Sequence, residues 1–168
     1  LILWGLFEKL MIADRIAIPV NAVYKQFWAF GGVEILLATL LYAFQIYCDF
    51  AGYTNMACGI AQLCGIELTE NFKRPYLAIS VRDFWRRWHI SLSSWLRDYV
   101  YIPLGGNRKG KLRKHINMML TFLVSGIWHG TGFHFLAWGG MHGMAQILET
   151  KLSKAPKLLR WFLTFCFI

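Results

Sequence analysis

The stretch VEILLATLLYAFQIYCDFAGY, residues 33–53, decides the fold of this 168-residue chain. It is apolar through most of its length, and its two acidic residues, Glu34 and Asp49, stand towards its two ends. An α-helix needs about 20 predominantly apolar residues to cross the hydrocarbon core of a bilayer. The stretch therefore predicts a transmembrane helix.

The composition of the whole chain agrees with a membrane environment. Hydrophobic residues make up 57% of it and charged residues only 16%, whereas soluble domains carry about 25% charged residues. Lysine and arginine number 18 against 9 acidic residues, a formal net charge of +9. An excess of basic residues indicates either nucleic acid or an anionic membrane surface, and the apolar content favours the membrane. We therefore expect membrane lipids and no nucleic acid as partners.

The segments on either side of residues 33–53 are also apolar. Residues 1–30 mix apolar and charged positions around Pro19, which predicts a helix pair at the membrane edge or the cytosolic end of a span. Residues 55–66, NMACGIAQLCGI, are rich in small residues and suit close helix packing or a re-entrant segment. Because the chain begins and ends within apolar sequence, we expect it to be a fragment of a longer polytopic protein.

Residues 73–114 form a basic loop, with eleven of the eighteen basic residues against two acidic ones. The positive-inside rule places such a loop in the cytosol. Within it, apolar residues recur at spacings of three and four, which predicts one amphipathic helix that is interfacial or re-entrant: Val81, Phe84, Trp85, Trp88, Leu92, Trp95, Leu96 and Tyr99.

The strand-like YVYIPL and a GxxxxGK spacing follow, but Leu112 stands where a nucleotide-binding loop needs Ser or Thr. A basic tip lying on anionic headgroups is the favoured interpretation.

The C-terminal third predicts further helices. Residues 115–127 form an apolar helix, glycines interrupt it at 128–133, residues 134–149 form a second helix, and a span begins at 158–168 and is cut off. The predicted fold class is therefore all-α, a polytopic transmembrane helical protein. We expect it in the inner or plasma membrane, crossing it several times.

His129 is the most informative ionisable residue of this region. It lies about 15 residues beyond Lys114, or ~22 Å along a helix, deep within a ~30 Å core. Ionisable groups at that depth are costly and are candidates for function, with a packed, satisfied histidine as the competing interpretation. Neighbouring glycines would let a substrate approach, and His134 and His142 follow on the next helix, which predicts a cavity lined by imidazole and small residues: Gly126, Gly130, Gly132, Gly139, Gly140 and Gly143.

Metal binding is not expected. His129 and His134 are five residues apart, and no acidic residue or cysteine accompanies them at ligand spacing. The four cysteines show no CxxC pairing and are interpreted as small buried hydrophobic residues. Asp49 is expected to be structural, capping a helix or pairing with an arginine across the bundle.

Three segments in a fixed order resemble the membrane-bound O-acyltransferase (MBOAT) superfamily: residues 47–68, 71–110 and 125–143. The resemblance is to the branch of the bacterial alginate O-acetyltransferase membrane subunit, with the teichoic acid D-alanyl transferase more distant. The tip IPLGGNRKG favours the polysaccharide-acetylating branch. On this resemblance the chain is a fragment of an MBOAT-type helical bundle with re-entrant or amphipathic helices.

The resemblance implies roles for particular residues. The histidine of the WHG motif, here His129, corresponds to the catalytic residue, and His89 in RRWHISLS to a second polar active-site residue. No bound cofactor is implied; an acyl donor such as acetyl-coenzyme A is a co-substrate, and Arg86 and Arg87 are candidates for its phosphates, with headgroup contact as the alternative. The implied acceptor is an exopolysaccharide, reached through extracytoplasmic acetyltransferase partner proteins.

The residues also suit the chemistry. Acetyl transfer to a sugar hydroxyl needs a base for the hydroxyl proton, and a buried histidine is neutral and available near physiological pH. We expect His129 to be that base, or else to form an acyl intermediate, and His89 to orient a reactant or donate a hydrogen bond to the carbonyl oxygen. Three alternatives stay open: D-alanyl or other acyl transfer to a cell-wall polymer, a transporter, and a scaffold for an export complex.

Overall fold

The computed structural model describes residues 1–149 and 154–168. Most of these residues are helical, and none of them forms a β-strand beyond a single isolated bridge. They divide into two compact units, residues 1–70 and 71–168. The all-α class predicted from sequence is confirmed, whereas the strand-like reading of YVYIPL is wrong, because residues 97–101 form a π-helical turn and residues 102–109 a series of turns.

The first unit consists of two long helical segments. The first runs without a break from Ile2 to Lys25, and Pro19 lies inside it, so it is one segment and not the expected pair. The second covers the predicted span and continues through the predicted re-entrant piece. The bounds are α1 Ile2–Leu6, a π-helix Phe7–Ala13, α2 Asp14–Lys25, a 3-10 turn Phe27–Ala29 and α3 Gly32–Leu63.

A glycine in the left-handed conformation, Gly65, ends helix α3. Gly65 adopts a left-handed φ of 73°, its N–H donates to the Gln62 carbonyl at 3.0 Å, and the Ile66 N–H donates to the Ala61 carbonyl at 2.9 Å. This paired hydrogen-bond pattern satisfies the last carbonyls of a helix and favours glycine at the left-handed position. Nothing interrupts the helix before this point, so the small residues 55–63 continue the span.

Small residues bring the first segment against α3. A Cβ added at Gly5 would lie 2.5 Å from the Gly52 carbonyl oxygen, and one at Gly59 would lie 2.5 Å from Ile2. Small residues are what let membrane helices approach closely. The packing role expected for residues 55–66 is therefore confirmed.

Charged residues also join these two segments. The Lys9 ammonium lies 2.5 Å from an oxygen of Asp49 and 3.0 Å from one of Asp14, and the Asn55 amide donates to the buried carboxylate of Glu8 at 2.7 Å. Asp49 is thus a structural pairing residue, as expected, but its partner is a lysine. The expected arginine was wrong because the π-helical turn, which periodicity does not reveal, places Lys9 opposite it.

Among the described residues, α3 is the helix whose length and composition allow it to cross a membrane. Only 22% of its most apolar stretch is buried, whereas the core helix of a soluble protein is mostly buried. Leu36 and Leu37, for example, are 59% and 54% exposed. Exposed apolar surface on this scale marks contact with lipid or with other apolar segments.

The second unit carries shorter helices and the histidines. Its elements are a 3-10 turn Pro75–Leu77, α4 Val81–Trp85, α5 Ile90–Leu96, a π-helix Arg97–Tyr101, α6 Gly110–His129, α7 Phe133–Leu148 and α8 Lys157–Phe167. The helices predicted at 115–127 and 134–149, the glycine break between them and the helix starting near 158 are all present, but α6 begins five residues before and ends two residues after the predicted bounds.

The predicted amphipathic helix over residues 81–99 is wrong, because it is broken at His89. The backbone of His89 is left-handed, with φ 44° and ψ 57°. An isolated antiparallel bridge joins Phe72 to Trp88, and the side chain of Asn71 accepts from the backbone N–H of Ser91 at 3.0 Å. Asn71 thereby caps α5 from a distant part of the chain. Periodicity within residues 81–99 cannot reveal a partner from outside them.

Candidate functional site

His129 is the last residue of α6 and its ring is exposed. Its Nδ1 lies 2.7 Å from the Ser125 carbonyl oxygen, one turn earlier. A carbonyl oxygen can only accept, so Nδ1 carries the proton and donates, and Nε2 of the neutral ring keeps its lone pair. Among the described residues His129 is exposed and not buried as expected; it is the last residue of α6, and Gly130 follows it directly.

Two tryptophans lie against His129. The ring of Trp128 is centred 5.0 Å away and that of Trp138, on α7, 4.8 Å away. Aromatic pairs at these separations contribute about 0.5–1.5 kcal/mol beyond their buried area. His129 is therefore held by one hydrogen bond and two ring contacts while it remains open to a reactant.

The structure brings His89 close to His129. Both imidazoles contact Trp128, with His89 centred 6.1 Å from that indole. His89 lies outside the candidate span α3. Burial lowers the pKa of His89 below its ordinary value, and electrostatic repulsion from His129 lowers that pKa further. The two histidines predicted from sequence thus contact the same indole ring.

His142 is the buried histidine of this unit, at 5% exposure. The Trp85 indole N–H donates to its Nδ1 at 3.3 Å. Because an indole N–H only donates, Nδ1 of His142 holds a lone pair. His134, by contrast, is exposed and covers Gly132, where an added Cβ would lie 2.3 Å from the His134 ring.

The glycines serve helix packing and not substrate approach. A Cβ at Gly126 would lie 2.4 Å from the Phe135 carbonyl oxygen, and one at Gly139 would lie 2.3 Å from the Phe122 carbonyl oxygen. At Gly130 the Phe135 ring occupies the same space, at 2.2 Å. The predicted substrate approach along these glycines is wrong because α6 and α7 fill that space themselves.

An open cavity of about 490 Å³ lies among α4, α5, α6 and α7. The sequence predicted a cavity lined by imidazole and small residues; none of the described residues that line this cavity is histidine, although Ser93, Ser94 and Ser125 are small. The lining residues are mostly polar or cationic: Arg82, Trp85, Arg86, Ile90, Leu92, Ser93, Ser94, Leu96, Arg97, Tyr101, Asn107, Lys114, Met118, Thr121, Phe122, Ser125 and Gln146.

One face of α6 connects this cavity with His129. Lys114, Met118 and Ser125 line the cavity at helical spacing, and His129 follows Ser125 by four residues, one turn or about 6 Å further along the same face. The cavity and the imidazole are therefore successive parts of one helix surface.

The two adjacent arginines, Arg86 and Arg87, have different surroundings in the structure. Arg86 lines the cavity. Arg87 does not, and its Nε donates to Asp83 at 2.9 Å. Two other cavity cations are engaged by carboxylates, Arg82 by Glu149 and Arg97 by Asp98. Of the two arginines predicted for acyl-donor phosphates, Arg86 is the one placed to meet a ligand in the cavity.

The tryptophans of this site were missed as site residues. In the sequence Trp85 belongs to the predicted apolar helix face, and Trp138 lies within the apolar helix predicted at residues 134–149. The spacing of Trp138 and His142, four residues apart on one helix, places both on the same face and could have indicated their contact.

Within the described residues, no group of three His, Cys, Asp or Glu side chains comes together to hold a metal ion.

Comparisons with known proteins agree on one family. The model of the MBOAT, membrane-bound O-acyltransferase family, matches residues 1–166. The chain is 43% identical to a peptidoglycan O-acetyltransferase of Helicobacter pylori, over 98% of the chain and 33% of that protein. It is 43% identical to a probable alginate O-acetylase of Pseudomonas fluorescens, over 98% and 34%. A teichoic acid D-alanyltransferase of Bacillus subtilis is 34% identical, over 75% and 35%. The chain thus spans about a third of the length of these curated relatives.

Proposed function

The chain belongs to the membrane-bound O-acyltransferase family, and from that premise we propose that its full-length protein transfers acetyl groups to hydroxyls of a cell-surface polysaccharide. The protein crosses the inner or plasma membrane several times, with α3 as one of its spans. The acceptor is alginate-like or another glycan with free hydroxyls; the names of the two most similar relatives reported above, an alginate O-acetylase and a peptidoglycan O-acetyltransferase, support that class. Extracytoplasmic partner proteins complete the delivery to the polymer.

The observation that carries the proposal is the hydrogen bond between Nδ1 of His129 and the Ser125 carbonyl. It leaves the Nε2 lone pair of an exposed ring available to a reactant. In the proposed reaction Nε2 takes the proton of the hydroxyl as the hydroxyl oxygen bonds to the acyl carbon. The bond from that carbon to the thioester sulfur breaks, and the proton then passes to the leaving thiolate.

The cavity is the proposed site of the acyl donor, for which acetyl-coenzyme A is the candidate. Its cations suit phosphate groups, and the polar side chains of Ser93 and Thr121 add hydrogen-bonding capacity. The α6 face then leads from the cavity to His129. Arg87, already engaged by Asp83, is assigned to the competing role of contact with lipid headgroups.

Acetyl transfer is favoured over D-alanyl transfer because the O-acetylating relatives cover 98% of the chain at 43% identity, against 75% at 34% for the D-alanyltransferase. The deciding experiment incubates the purified full-length protein with labelled acetyl-coenzyme A and acceptor glycan. Transfer of label to the glycan, or an acylated intermediate, supports the enzyme. Absence of both, even with partner proteins present, would instead support a transporter or a scaffold.

Replacing Arg86 by Ala should raise the KM for acetyl-coenzyme A about tenfold, since a charge-assisted hydrogen bond contributes about 1.5–3 kcal/mol. The kcat should change little, because Arg86 is remote from the reacting carbon. Arg113→Ala is the matched control: Arg113 carries the same charge, is exposed and does not line the cavity. Equal KM values for the two variants would remove Arg86 from the donor site.

His89 is proposed to orient a reactant or donate a hydrogen bond to the acyl carbonyl oxygen. His89→Gly removes the ring but suits the left-handed backbone, with φ 44°. We expect kcat to fall at least about tenfold, since such donors contribute 100-fold or more in known oxyanion sites. His89→Asn, which tolerates the same backbone and supplies an N–H donor, should recover part of the loss. A glycine variant with the wild-type rate would leave His89 only a packing role.

A further inference from the structure

A cluster of tilted and edge-on aromatic rings, Trp85, Trp138, His142 and His129, runs from α4 through α7 to the end of α6, and the mechanism above does not use it. Trp138 lies at its centre. Its ring centroid is 4.8 Å from that of His129 and 4.8 Å from that of His142. Trp138 and His142 share one face of α7, because they are four residues apart.

The buried end of this cluster, His142, is firmly anchored. His142 is 5% exposed, and its Nδ1 accepts the hydrogen bond from Trp85. Rings from two further helices contact it, Phe122 of α6 at 6.3 Å and Phe167 of α8 at 5.1 Å between centroids. Four helices therefore fix the position of His142, and through it the face of α7 that carries Trp138.

The other end of this cluster, His129, is less enclosed than His142. His129 is exposed and ends its helix, and Gly130 follows it. One hydrogen bond, to the Ser125 carbonyl, restrains the ring, and the remaining restraint comes from the indoles that contact it. Trp128 also contacts His129, but it is itself 57% exposed. Trp138 is half-buried and contacts Trp85 at 5.6 Å, so it is the better-held of the two indoles.

We propose that Trp138 is a positioning residue for the reaction: its indole, fixed by His142 and Trp85, holds the His129 ring in the orientation that keeps Nδ1 on the Ser125 carbonyl and directs Nε2 to the acceptor hydroxyl. The inference rests on the proposed function of His129 as the base. Orientation matters at this point because a displacement of about 1 Å in a catalytic group costs up to 100-fold in rate. Trp138 does not line the cavity, so we expect it to contribute nothing to donor binding there.

Two substitutions of Trp138 in the full-length protein test this role. Trp138→Met removes the flat ring but keeps much of the volume, because methionine is flexible and fills irregular gaps. We expect kcat per folded molecule to fall about tenfold or more, with the KM for acetyl-coenzyme A unchanged. Trp138→Phe keeps a ring against His129 and should retain most of the wild-type kcat. Trp138→Leu replaces the methionine variant if that variant does not accumulate.

Trp161→Leu is the matched control. Trp161 is half-buried on α8 and donates its indole N–H to the Tyr76 carbonyl at 2.8 Å, so its loss should lower thermal stability without lowering kcat. A purely structural role for Trp138 would give the same result as this control. Wild-type kcat in Trp138→Met, or an equal fall in Trp138→Phe, would overturn the inference.

One further variant separates this inference from the function on which it rests. If His129→Gln is inactive while Trp138→Met has the wild-type kcat, the base stands and only the positioning role fails. If His129→Gln is active, the proposed function fails, and the positioning role fails with it.

Discussion

Replacing His129 by Gln should reduce acetyl transfer at least about 100-fold, because positioned general bases contribute 100- to 10,000-fold. Glutamine can still donate to the Ser125 carbonyl, as the imidazole Nδ1 does at 2.7 Å, but it cannot accept a proton from a hydroxyl. Alanine should have an effect at least as large. The measurement is label transfer from acetyl-coenzyme A to acceptor glycan, complemented by mass spectrometry of the surface glycan in cells that carry the variant.

The matched control for this substitution is His134→Gln. His134 lies just beyond the helix break, is exposed, and covers Gly132 with its ring. We expect near-normal acetylation from this variant. Near-normal acetylation from His129→Gln at the wild-type protein level would contradict the base role. Loss of activity in both variants would instead indicate that this region must simply keep its packing.

The second large effect is expected at Gly139. A Cβ there would lie 2.3 Å from the Phe122 carbonyl oxygen and 3.1 Å from the carbonyl carbon. A backbone carbonyl cannot rotate away as a side chain can, so α6 and α7 would have to separate. We expect Gly139→Ala to lower the free energy of unfolding by about 3 kcal/mol, at the upper end of the range for overpacked cores, as measured by thermal unfolding of the purified protein. Acetyl transfer should fall too, because α6 carries His129 and α7 carries Trp138.

The neighbouring glycine is the control. At Gly140 the nearest atom to an added Cβ is a methyl of Leu123 at 3.9 Å, an ordinary contact. Alanine is a better helix former than glycine by roughly 0.5–1 kcal/mol, so Gly140→Ala should leave stability unchanged or slightly raised. Equal destabilisation of the two variants would show that the close approach at Gly139 is not what limits substitution.

Local sequence determined much of the helical framework. The apolar run of residues 33–53 predicts most of α3, and the glycines at 130 and 132 predict the break between α6 and α7. These features depend on residues close together in the chain, so periodicity and glycine placement reveal them. His129 and His89 were identified as candidates from the sequence through the WHG and RRWHISLS motifs, and their roles remain predictions.

Only the tertiary structure decided how those residues are arranged. Asn71 caps α5 and the bridge at Phe72 breaks the expected amphipathic helix at His89, while packing against α7 makes Trp138, and not a glycine-lined cavity, the neighbour of His129. Each of these outcomes depends on contacts between distant residues, which spacing along the chain does not encode. The sequence by itself determined the long helices α3, α6 and α7 and which histidines are candidates. Packing decided which rings meet, because a contact requires both partners to be in place.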